Sequence, residues 1–200
     1  MNNNIRVYSF FREEIVEKKI KLEEAIKHLE IVKCTMIDQL QELTAMEENT
    51  YIKQVSMVND FSIENGVFRF CIEGRLPHFD LEDKKYHQRV RDHYQQKIIQ
   101  FVNINEIRSL ISFNKAFIYL VHIFSNEIPR DLDNRSKKFI FDGIRYSGII
   151  KDDSWKYISY MERGLVGKTS EKVEIWIGDD ERKVEIIKAI EAKYVERIRI

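Results

Sequence analysis

The residues best spaced for chemistry lie in Arg130-Asp131-Leu132-Asp133-Asn134-Arg135-Ser136-Lys137, with Asp152-Asp153 following a helix's length later. Asp131 and Asp133 flank Leu132, so in an extended segment both carboxylates point to the same side. Upstream, residues 115–124 are dense in aromatic and β-branched side chains and predict a buried strand. Downstream, residues 135–147 have helical character and stop at Gly148, a residue suited to the left-handed turn after a helix. The acidic cluster is thus expected at a strand-to-helix junction. A helix of about four turns then returns the chain, so that Asp152 and Asp153 open the next strand beside the first pair.

Carboxylates converging at a sheet edge repel one another unless a cation sits between them. Hard oxygen donors with no nearby His or Cys cluster suit Mg²⁺, or Mn²⁺, rather than zinc. Lys137 follows Asp133 by four residues and on a helix faces back towards it. A cation there suits stabilisation of developing negative charge, or placement of an attacking water. Plainer roles exist for the parts: Asp133 as a helix N-cap, Asp152-Asp153 as a turn. A calcium loop fails. Asp131, Asp133 and Asp142 match its positions 1, 3 and 12, but position 6 is Ser136 rather than Gly and position 5 is Arg135.

Arg130-Asp131-Leu132-Asp133-Asn134, a lysine shortly after, Asp142 in the helix, a glycine and then Asp152-Asp153 resemble the signature of RusA-type Holliday junction resolvases. The resemblance implies a small α/β fold, a homodimer, and Mg²⁺-dependent nicking of four-way DNA junctions. It implies metal binding by Asp131, Asp133 and Asp153, with Asp152 as an outer ligand or support, and a catalytic role for Lys137. The interval from Lys137 to Asp142 is one residue longer than in the family, so Lys138 stays open as the matching lysine. The sharp match covers residues 130–153; a looser match in element order runs from about 66 to 178.

With 33 basic and 33 acidic residues the net charge is zero, so the bulk field does not advertise nucleic-acid binding. Only the face that meets phosphate needs to be positive. The candidate DNA contacts are Arg130, Arg135, Lys138, Lys151 and Lys168. Cys34 and Cys71 lie in different segments without metal-ligand spacing and are expected as reduced, buried thiols. No apolar run approaches the roughly 18 residues of a membrane span, and a cytoplasmic protein is expected.

The elements that position this stretch begin with an N-terminal arm. From residue 10 to 48 there is neither Gly nor Pro, and Ile15, Leu22, Leu29, Met36 and Leu43 recur at sevens with Ile26 and Leu40 between them. That is a heptad-like stripe interrupted by Lys19 and Lys33, suited to coiled-coil or hairpin pairing in a dimer, or to folding along its own domain. Residues 51–64 and 67–73 flank Asn65-Gly66, a strong hairpin signal. Residues 84–103 read as a helix with Tyr86, Val90, Tyr94, Ile98 and Phe101 on one face and His87, Arg89, Arg91, His93 and Lys97 on a solvated one. His78, His87 and His93 are too dispersed for a metal site. Residues 155–162 and 172–177 read as strands joined by a glycine-containing basic loop. Its Gly167-Lys168-Thr169 lacks the setting of a nucleotide-binding loop. Asp179 or Asp180 can cap a final helix.

The expectation is an α/β (α+β) protein with a small mixed sheet, flanking helices and a long N-terminal helical arm. Residues 1–50 form the arm, 51–178 the RusA-like nuclease domain, and 179–200 a C-terminal helix packed on it. The expected activity is Holliday junction resolution by a Mg²⁺-dependent endonuclease acting as a homodimer on branched DNA. The alternatives are a non-catalytic DNA- or protein-binding module on the same scaffold, or a nuclease for other branched DNA.

Overall fold

The computed structural model describes residues 2–46, 58–77, 84–133, 135–167 and 170–198. In chain order the elements are α1 (Asn2–Met46), β1 (Val58–Glu64), β2 (Val67–Glu73), α2 (Lys84–Ile104), α3 (Ile107–Leu110), β3 (Ala116–Phe124), α4 (Lys137–Tyr146), β4 (Ile158–Val166), β5 (Lys172–Asp179) and α5 (Lys183–Ile198). They form two compact units, Met1–Val55 with Asp80–Val90, and Ser56–Phe79 with Arg91–Ile200. No helix among the described residues is long and apolar enough to cross a membrane.

In the first unit, the absence of Gly and Pro lets α1 run unbroken for 45 residues, about 67 Å at the helical rise. One face meets the start of α2. The Tyr86 hydroxyl donates to Glu30, and Arg89 Nη2 donates to Thr35 Oγ1 at 3.3 Å and lies 3.6 Å from Asp38. Cys34 is buried on this face, and burial pushes its thiol up to about 11. The apolar stripe of Ile15, Leu22, Ile26, Leu29 and Met36 lies exposed. The side chains of Leu40 and Leu43 lie outside the described residues.

The second unit is a mixed five-stranded sheet in the order β1-β2-β5-β3-β4, with β3 and β4 parallel and every other pair antiparallel. Asn65 and Gly66 both adopt positive φ (51° and 73°), so the β1–β2 turn is the hairpin type that matches strand twist. Residues 51–57 of the expected first strand lie outside the described residues. β3 is buried along its length apart from Phe124 at its end, as expected for a central strand covered on both faces. Phe117, Tyr119, Val121 and Ile123 pack with Trp176 and with Ile186, Ile190 and Tyr194 of α5. On the other face lie α2 and α4, through Phe70 against Phe101, Tyr94 against Phe139, and Phe141 against Tyr160. The unit is therefore a helix–sheet–helices sandwich, and the fold is mixed α and β.

Several sequence expectations change. His93 and Lys97, expected on a solvated face, are buried, because α2 is covered both by the aromatic side chains of β1 and β2 at Phe101 and by α4 at Ile98. β4 runs on to Val166, so Arg163 and Gly164 are strand rather than loop. β4 and β5 do not form a hairpin; β3 lies between them. The composition explains the swap. β5 is buried from Val173 to Gly178 and takes the interior, whereas β4, with Glu162, Arg163 and Gly164 partly exposed, suits an edge.

Candidate functional site

The β3–α4–β4 crossover carries nearly every residue singled out from the sequence. A parallel pair needs such a crossover, and here the returning element is the ten-residue α4. Asp133 is not its N-cap: Ser136 holds that place without a side-chain cap bond. The entry is fixed instead by the Ser136 amide donating to Pro77 O at 3.0 Å and Arg135 Nη1 donating to Leu76 O at 3.1 Å. At the far end, Gly148 takes φ 81° and donates to Arg145 O at 2.9 Å, the stop that the sequence signalled. Gly143 lets α4 lie close on α2: a Cβ there would fall 2.8 Å from Ile98 Cδ1.

Helical spacing divides the two adjacent lysines. Lys138, Asp142 and Arg145 follow one another at four and three and share a face of α4. Lys138 Nζ lies 3.2 Å from both Asp142 Oδ1 and Asp153 Oδ2. Arg145 Nη1 donates to Asp153 Oδ1 at 3.1 Å and lies 3.6 Å from Asp152 Oδ1, and Gln95 Nε2 donates to Asp142 Oδ2 at 3.1 Å. Partial burial alone would raise the Asp153 carboxyl, but Lys138 and Arg145 overcome it and hold it below the usual carboxylate range. Burial likewise tends to lower Lys138, and its bonds to Asp153 and Asp142 hold it above the usual lysine value.

Lys137 points elsewhere. It forms a salt bridge with Glu162 of β4 and lies 5.7 Å over the Tyr160 ring. Beyond Glu162 sits His122, 3% exposed, with Nε2 3.8 Å from Glu162 Oε2 and neither atom hydrogen-bonded. Burial, reinforced by Lys137 and Arg135 against the opposing pull of Glu162, lowers the His122 imidazole to about 4. This ring is neutral at physiological pH.

Asp131 and Asp133 stand exposed on the loop into α4, and neither makes a hydrogen bond or ion pair among the described residues. Leu132 between them lies over Gly164 of β4, where a Cβ would come within 3.8 Å of its Cδ2. Asp152 and Asp153 do not open a strand, because β4 begins only at Ile158 after a turn in which the Tyr157 amide donates to Ser154 O. Among the described residues, no three His, Cys, Asp or Glu side chains stand together ready to hold a metal ion.

The basic candidates also separate. Arg130 braces its own loop, donating to Ile128 O at 2.8 Å and Asn126 Oδ1 at 2.7 Å with its guanidinium 4.8 Å over Phe124. Lys151 is exposed, its Nζ 3.3 Å from Asn114 Oδ1. Lys168 lies outside the described residues. Gln95, Arg145, Glu162 and His122 are the members that the sequence did not point to. Arg145, seven residues after Lys138, was detectable from helical spacing; the other three are brought in by packing. Compared with protein-family models and with curated proteins, the chain matches none.

Proposed function

We propose that this protein is a divalent-metal-dependent endonuclease that cuts branched DNA, with the four-way junction as its substrate, working as a homodimer that nicks both strands. One observation carries the reading. Lys138 is held between Asp153 and Asp142 at the start of α4, directly after the loop that presents Asp131 and Asp133 to solvent. An exposed carboxylate pair, a third carboxylate kept ionised, and a lysine are parts that metal-assisted phosphodiester hydrolysis can use.

The donor chemistry suits Mg²⁺ or Mn²⁺: the set is all carboxylate oxygen, and two of its members are committed to no other ion pair among the described residues. Asp131, Asp133 and Asp153, which do not stand together as a ready site among the described residues, would have to converge to hold the ion, with Asp152 supporting. When bound, the ion lowers the pKa of a water and neutralises charge on the scissile phosphate. The chain's own residues do the rest. Lys138, rather than Lys137, supplies the cation beside the reacting phosphate, and Arg145 keeps Asp153 aimed. The Lys137–Glu162 bridge locks the first turn of α4 to β4 and so fixes where Lys138 starts.

The test is a cleavage assay with Mg²⁺ on a panel of four-way, flapped and linear DNAs. We expect junction cutting that falls at least about 100-fold in Asp133→Asn, Asp153→Asn and Lys138→Met, the scale of losing a transition-state contact. Unchanged cutting by a folded Asp153→Asn variant would refute the site. Tight junction binding by a wild-type protein that never cuts would point to the non-catalytic scaffold.

A further inference from the structure

The α1 arm has two faces with separate uses. Lys27, Ile31, Cys34 and Asp38, spaced four, three and four apart, are buried or half-buried on the side that meets the start of α2. At 100° per residue, the stripe of Ile15, Leu22, Ile26, Leu29 and Met36 lies on the opposite side of the helix. There Leu22 is 64% exposed, Leu29 67% and Met36 63%, and from Lys27 onward the other face is covered. Intramolecular packing thus leaves free the positions that repeat at sevens. With Leu43, the spacing extends over four heptads, with Ile15, Leu22, Leu29, Met36 and Leu43 as d positions and Lys19, Ile26, Lys33 and Leu40 as a positions.

The flanking charges choose the occupant and its direction. Lys18 is a g position and Glu23 the e position five residues later, the pair that meets across a parallel, in-register coil. Two-fold symmetry makes that contact twice. An antiparallel pairing sets g against g and e against e, so Lys18 would lose Glu23. In the parallel arrangement Leu22 and Leu29 meet their own copies, as do Lys19 and Lys33, whose ammonium groups reach water along their aliphatic stems. A polar residue at an a position costs stability but specifies register and strand number.

We propose that α1 forms a parallel, in-register, two-stranded coiled coil with a second copy of this chain. Both chains then leave the coil at the same end. This inference does not rest on the nuclease reading.

The test uses the full-length protein in sedimentation equilibrium, without DNA or metal. A dimer is expected, and Leu22→Asp combined with Leu29→Asp should give a monomer. Lys18→Glu should weaken the dimer about tenfold by turning two attractions into repulsions, and adding Glu23→Lys should restore it. Leu22→Cys should cross-link to its own copy on mild oxidation, whereas antiparallel pairing sets the two thiols about 16 Å apart along the axis, beyond disulfide reach. The wild type, whose Cys34 and Cys71 are buried, is the uncross-linked control. A monomeric wild type, a dimer that survives the double Asp substitution, an unrestored charge swap or an absent cross-link would each overturn the proposal.

Discussion

Replacing His122 by Gln should flatten the acid side of the stability curve. His122 is buried in β3, faces Glu162 and feels the charges of Lys137 and Arg135, and its imidazole is lowered from 6.5 to about 4. As pH falls below the ordinary imidazole value, the unfolded chain takes up a proton that the folded chain refuses until about pH 4. Stability is therefore unaffected by this group above the ordinary value, is lost between the two values, and is flat below the lower one. The gap corresponds to about 3 kcal/mol. Gln cannot titrate, is close to His in size, and can donate its amide to Glu162. The assay is urea unfolding of both proteins at several pH values between about 7.5 and 4. Because every other group is shared, the difference between the two curves isolates His122. It should move in favour of the variant by about 3 kcal/mol over that range. Parallel curves would show that His122 is not held neutral inside the protein and would refute the reasoning.

Two further outcomes follow from the site. Lys138→Met should cost about 1–2 kcal/mol at neutral pH, the charge-assisted bonds to Asp142 and Asp153 discounted because the lysine side chain is 62% exposed. Asp153 has a lowered folded value, so its share of that difference is present above the ordinary carboxylate range and vanishes as pH falls through the lowered value, measurable by unfolding at pH about 7 and 3. Junction binding should weaken steeply with salt, and Lys151→Ala, at an exposed cation, should reduce the slope of log affinity against log salt by about one. A gel-shift series over salt concentration checks it; an unchanged slope removes Lys151 from the interface.

The helical and strand elements around the site were legible because each carries a local signal. Asn65-Gly66 supplies the positive φ values of its turn, Gly148 ends α4, Asp179 accepts the Glu181 amide at the start of the last helical segment, and residues 116–124 are apolar on both faces of a strand except for His122.

What the chain could not reveal is which groups meet across sequence distance. Lys137 and Lys138 are neighbours in sequence, and spacing from Asp133 favours the first. In the fold the roughly 100° between successive helical residues sends one to Glu162 and the other to Asp153. β5 displaces β4 from the sheet interior because burial on both faces rewards its apolar run, a comparison that exists only once both strands compete for the same neighbour. Local pattern thus determined the elements, the exposed carboxylate loop and the repeating stripe of α1. Tertiary packing decided the pairing of charges, because a salt bridge depends on where two helices and a strand come to rest rather than on the number of residues between them.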